Sequence, residues 1–192
     1  EILKFSDHIL CATNKIYKDL LIVGKNKKTL LTNGYFSKYK TKIKSIKSKK
    51  IKIGYFGLIS DSSNSFRDLK VIYNSVKNNH KLHFSFYGNS KISNNLVKNY
   101  KNFTFKRNIP YFDAISKMSN FNYLLILHTE KSTSKEVVTG KFYEYLSSGI
   151  PIIVVSNGET EVGKLIKRYN LGLVIDYNKK SLTNFFDNLI YE

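Results

Sequence analysis

The sequence predicts a doubly wound α/β fold, a parallel sheet of about six strands with helices packed on both faces. Two observations carry that expectation. Short β-rich runs recur at residues 51–56, 82–87, 103–105, 123–127, 152–155 and 173–175, and helical spacings of apolar residues fill the intervals at 67–77, 92–100, 112–118, 141–147, 162–169 and 182–190. Runs that read as buried on both faces and alternate with helices imply a parallel sheet, because parallel neighbours need crossover connections. Ligands of such sheets bind beyond the carboxyl ends of the strands. The loops after Phe56, Tyr87, Phe105, Leu127 and Val155 therefore form the expected ligand edge.

Ahead of the sheet, residues 7–12 read as a strand, and Thr13 is placed to cap a helix carrying Ile16, Leu20 and Leu21 that Gly24 would end. Residues 29–32 read as a second short strand running into Asn33-Gly34, a turn signal. Residues 35–52 carry eight lysines with few apolar residues between them. This stretch reads as a linker or exposed hinge, or else as one solvent-facing helix. The first residue is Glu1, so a segment of a longer polypeptide is expected.

At 192 residues and 42% hydrophobic, the chain can bury the core of one full domain and part of another. The net charge of +18 invites a polyanion or membrane reading. Lysine supplies nearly all of it, however, and the arginines are only Arg67, Arg107 and Arg168. Readers of nucleic acid rely on Arg for base edges and phosphates, so solvated lysine faces are the favoured reading and no nucleic acid partner is expected. A single cysteine, Cys11, excludes an internal disulfide framework and fits a reducing compartment. No apolar run approaches the roughly 18–20 residues that span a bilayer, and no secretory signal is expected. A cytoplasmic location follows as the expectation, with peripheral contact at an anionic inner membrane face left open.

The stretch KEVVTGKFYEYLSSGIPIIVV, residues 135–155, carries the chemistry. It reads as a polar loop, a helix from Thr139 or Gly140 to Gly149, and a strand opened by Pro151. Glu144 falls about one turn into the helix and Glu136 in the loop before it, so the two carboxylates can flank one cleft. The backbone N–H groups of Val138, Thr139 and Gly140 lie at the helix N-terminus, where unpaired donors and the dipole favour an anion. The plainer reading is two acidic residues that only stabilise the helix dipole. Nearby, Gly158 to Lys164 has P-loop spacing but fails at Leu165, where a magnesium-binding hydroxyl would stand. Glu159 and Glu161 would also repel phosphate, so Thr160 reads as a helix cap instead. His8, His80, His83 and His128 share no metal-ligand spacing with each other or with Cys11, and no metal site is expected. His83 reads as structural; His128 follows a strand at the ligand edge and could meet a substrate.

Several stretches resemble the C-terminal, donor-binding domain of GT-B glycosyltransferases of the retaining family-4-like group, a Rossmann-like domain. TGKFYEYLSSGIPIIV resembles that group's acidic helix and Gly-x-Pro strand, and Glu136 with Glu144 reproduces its Glu, seven residues, Glu pattern. IKIGYFGLIS resembles the first strand and glycine loop, and HFSFYGNS the second strand and its glycine. FTFKRNIPYFDAISKMSNFNYLLIL resembles the base-binding loop, helix and next strand, while SDHILCATNKIYKDL and TLLTNGYF resemble the close of the preceding domain. The likeness covers nearly the whole chain. It implies residues 1–37 as the end of an acceptor domain, 38–50 as a lysine-rich linker, and 51–192 as the nucleotide-sugar-binding domain.

By that resemblance Glu144 would hold the ribose hydroxyls of a UDP-sugar or GDP-sugar donor, and Glu136, the catalytic candidate, would face the transferred sugar. Val138, Thr139 and Gly140 would offer N–H groups to the diphosphate, with Lys141 and Arg67 adding positive charge. Gly57 and Gly88 would allow close backbone approach, and Asn108 and Ile109 would read the base edge. Leu58 stands where many relatives have a basic residue, and Val137, Val138 and Thr139 replace a common glycine and aromatic. The implied reaction is retaining transfer of a sugar to a glycan or lipid-linked acceptor, as in polysaccharide biosynthesis, with no cofactor. The segment alone should bind donor and transfer little, since the site of this fold lies between two domains. Alternatives are a sugar-nucleotide epimerase or hydrolase of the same fold, and a non-catalytic basic module for polyanions or membranes.

Overall fold

The structure, a computed structural model, describes residues 5–20, 27–35, 49–60, 69–76, 78–92, 101–128, 135–156 and 159–189. A small first unit comprises β1 (His8–Cys11), α1 (Asn14–Asp19) and β2 (Lys27–Leu30), with β1 and β2 paired in parallel. Thr13 caps α1 as its sequence suggests: its side chain accepts from the Ile16 N–H at 3.2 Å. The helix stops at Asp19, where Leu20 turns to extended backbone; Leu21 and Gly24, expected to continue and end it, lie outside the described residues. The strand expected at 29–32 lies two residues earlier. Register with β1 sets it, since Cys11 faces Leu30 and leaves no further partner along β1. Residues 31–35 form no turn. An Asn-Gly hairpin turn joins antiparallel strands, whereas β2 pairs with a parallel neighbour.

The large sheet is built from β3 (Ile51–Phe56), β5 (Leu82–Tyr87), β7 (Phe103–Lys106), β8 (Tyr123–Leu127), β9 (Ile152–Ser156) and β10 (Gly172–Asp176). Two-residue strands β4 (Ile59–Ser60) and β6 (Ser90–Lys91) pair with each other just beyond β3 and β5. The helices are α2 (Lys70–Val76), α3 (Tyr111–Met118), α4 (Gly140–Ser148), α5 (Glu161–Arg168) and α6 (Lys179–Asn188). The expected helix at 92–100, apart from Ile92, and the expected linker at 38–50, apart from Lys49 and Lys50, fall outside the described residues. Among those described, no helix is long and apolar enough to cross a membrane.

All six strands are parallel, in the order β10-β9-β8-β3-β5-β7. The chain thus winds outward from β3 in one direction, returns, and winds outward from β8 in the other. Adjacent β3 and β8 mark the switch point, where the loops leave in opposite directions and open a crevice.

Strand alternation divides the core in two. In β9, Ile153 and Val155 join the cluster under α2 and α6, while Ile152 and Val154 join the cluster under α3, α4 and α5. All five residues of β9 are buried, which is why it reads as an unbroken apolar run. Each fully buried aliphatic side chain contributes roughly 1.5–3 kcal/mol. Between β5 and β7 the apolar layer is aromatic: Phe84 stacks on Phe103 at 5.0 Å and Phe86 on Phe105 at 5.1 Å.

Candidate functional site

At the carboxyl ends of β3 and β5 the ladder continues one residue past each strand into a glycine. The Gly57 N–H donates to the Tyr87 carbonyl at 2.7 Å, and the Gly88 N–H donates to the Lys106 carbonyl at 3.1 Å. Both glycines have positive φ, +132° and +152°, in a region that L side chains rarely adopt. They also touch. A Cβ on Gly88 would stand 2.3 Å from the Gly57 carbonyl oxygen, so the second glycine exists to let the first loop pass. Phe56 and Tyr87, the residues just before them, stack at 4.9 Å and fix the spacing of the two loops.

Helix α4 closes the other side of this crevice. Its residue Tyr145 is fully buried, and its hydroxyl accepts from the Phe56 N–H at 3.0 Å, tying the helix to the root of the glycine loop. Thr139 is the N-cap, and its side chain makes no capping hydrogen bond. Lys141, in the first turn, reaches across to Gly57: its Nζ lies 4.3 Å from the Tyr55 ring centroid and would meet a Gly57 Cβ at 2.5 Å. The same ammonium acts on Glu144, one turn further along. Burial pushes the Glu144 carboxyl above its ordinary range, and Lys141 partly offsets this. Glycine loop, ammonium, helix end and half-buried carboxylate are therefore contiguous at the switch point.

Glu136 has different company. Its carboxylate lies 3.5 Å from Lys15 Nζ on α1, and both side chains are partly exposed. The N-terminal unit is held against α4 at a second point, where Thr32 hydrogen-bonds the Tyr143 side chain; burial pushes that phenol up and the hydrogen bond opposes it. Val138 is half-buried against the core, whereas Val137 and Leu58 are exposed. Asn108 is exposed and Ile109 half-buried, in the loop that joins β7 to α3. Arg67 falls outside the described residues.

The sequence reading missed Tyr145 and Lys15. A Tyr in an apolar helix reads as plain core, and nothing local marks a lysine of α1 as facing the loop before α4. Two other readings resolve simply. Thr160 caps α5 by accepting from the Gly163 N–H at 3.1 Å, and Lys164 pairs with Glu159 and Glu161 at 3.5 and 3.7 Å, so that lysine serves its own carboxylates. His83 hydrogen-bonds Thr104 at 3.1 Å within the sheet, and His128 is buried at the end of β8. Among the described residues, no three His, Cys, Asp or Glu side chains come together as a metal site.

The fold is that of GT-B glycosyltransferases. The chain superposes on Anabaena HepE in complex with UDP-glucose with a TM-score of 0.65 at 11% identity, over 96% of this chain and 54% of that one. It also superposes on sucrose-phosphate synthase from Thermosynechococcus elongatus (TM-score 0.69, 14% identity, 97% of this chain and 49% of that one). A third match is S. aureus TarM, solved as a point mutant in complex with fondaparinux, α-GlcNAc-glycerol and UDP (TM-score 0.55, 11% identity, 98% and 38%). The chain thus spans about half the length of the first two. No protein-family model and no curated protein matches the sequence.

Proposed function

We propose that this chain is the donor-binding part of a retaining glycosyltransferase that moves a sugar from a nucleoside diphosphate to a glycan or lipid-linked acceptor. One observation carries the reading: Gly57 and Gly88 in positive φ, Lys141 and the N-terminus of α4 converge at the switch point beside half-buried Glu144. Gly57 leaves its loop without a side chain beside the Lys141 ammonium, where a diphosphate could approach the backbone, and Gly88 lets that loop pass. The helix end and the Lys141 ammonium supply positive potential to it, which also stabilises the diphosphate as it leaves. Glu144 is assigned to the ribose hydroxyls, which a carboxylate can accept as a pair, and Asn108 and Ile109 to the base edge. Glu136, on the loop ahead of the helix, is assigned to the transferred sugar. Likeness in fold to HepE, whose crystals hold UDP-glucose, supports a nucleotide-sugar ligand.

Calorimetric titration of the chain with UDP, GDP and their sugars tests this, wild type against Glu144→Ala. The expected result is micromolar-range binding of one nucleotide family, weakened about tenfold or more by the substitution, as loss of a charge-assisted hydrogen bond implies. Equal binding by both proteins would remove Glu144 from the site. Absence of binding by the wild type would remove the proposal.

A further inference from the structure

We propose that Lys15, in the N-terminal unit, is a positioning and specificity residue for the transferred sugar, acting together with Glu136. The inference rests on the nucleotide-sugar reading above and extends it to a residue outside the sheet domain. Glu136 lies in the loop that leads into α4, two residues before Val138. Its carboxylate is met at 3.5 Å by Lys15 Nζ, which comes from a different part of the chain. Lys15 is held in turn by Asp19, one turn along α1, and the two carboxylates, Asp19 first, keep its ammonium strongly protonated. The unit carrying Lys15 is anchored on α4 itself through Thr32 and Tyr143, so Lys15 is referenced to the same helix that carries Glu144.

This arrangement has a chemical meaning. An ammonium has three donors. Among the described residues Asp19 and Glu136 engage two, which leaves one for an oxygen of a sugar. A carboxylate and an ammonium side by side present an acceptor and a donor, the pair that a vicinal diol recognises. The pair contributes little to folding, because both side chains are partly exposed and such pairs are screened. Its removal therefore leaves the fold intact and isolates its role in recognition.

The test is a split between nucleotide and nucleotide sugar. Dissociation constants for UDP against UDP-glucose, and GDP against GDP-mannose, are measured for wild type, Lys15→Met and Lys15→Arg in the 192-residue chain. Lys15→Met should leave nucleotide affinity unchanged and weaken the sugar nucleotide about tenfold, with Lys15→Arg recovering most of it. A general structural effect would move both ligands by the same factor. Equal changes for both ligands, no change for either, or wild type binding a nucleotide but neither sugar nucleotide would overturn the inference while leaving the nucleotide seat in place. Wild type binding no nucleotide would overturn the underlying reading and this one with it.

Discussion

Tyr145→Phe removes one oxygen from the fully buried side of α4. That oxygen accepts from the Phe56 N–H at 3.0 Å, in a region where Tyr145 is 0% and Phe56 6% exposed. The ring remains, so its edge contact with Phe56 at 6.4 Å survives and almost no cavity forms. What is lost is the acceptor of a buried backbone donor, which costs about 1–3 kcal/mol. With a urea slope of about 2 kcal/mol per molar, a loss of ~2 kcal/mol lowers the unfolding midpoint by about 1 M. Phe56 precedes Gly57, so the same change should also loosen the glycine loop and weaken nucleotide binding severalfold. Urea denaturation followed by circular dichroism reads the first effect and calorimetry the second. A midpoint within about 0.2 M of wild type, at unchanged slope, would refute the claim that this hydrogen bond anchors the loop.

Gly88→Ala should be more damaging, because the new Cβ would meet Gly57 backbone atoms at 2.3 and 2.6 Å with φ at +152°. A loss of roughly 2–4 kcal/mol and of nucleotide binding is expected in the same two assays. Glu144 makes a pH prediction. Its carboxyl is raised by burial, so the folded chain holds that proton more tightly than the unfolded one. Its contribution to stability is therefore greatest below the unfolded pKa and is lost as pH rises through the raised folded value. Denaturation midpoints against pH should show wild type losing ground to Glu144→Gln across that window. Nucleotide affinity should run the other way, weakening as pH falls through the same value, because a protonated carboxyl is a poorer acceptor for ribose hydroxyls.

Much of the sheet was legible because its strands are apolar on both faces. The runs at Ile51–Phe56, Leu82–Tyr87 and Tyr123–Leu127 end where the sequence reading ended them. The site's frame was legible too. The start of α4 at Gly140, its left-handed Gly149 end and Pro151 before β9 follow from backbone rules that act locally. The short strands β4 and β6 escaped, since a two-residue pairing is created by Gly57 and Gly88 lying against each other rather than by any pattern in the residues themselves. In the N-terminal unit, β2 is positioned by its register on β1, which no residue of β2 encodes alone. Two contacts that local sequence does not announce, Tyr145 to Phe56 and Lys15 to Glu136, join residues far apart in sequence. Each is chemically ordinary until the fold brings its partner near.

On the proposed reading, a nucleoside diphosphate seats between the two glycine loops and the start of α4. Backbone amide shifts of the ¹⁵N-labelled chain, followed during titration with UDP and with GDP, test it most directly. The amides of Gly57, Gly88, Val138, Thr139 and Gly140 should move together and saturate with one dissociation constant. Shifts confined to other surfaces, such as α5 and the residues around Thr160, with those five amides unmoved, would contradict it.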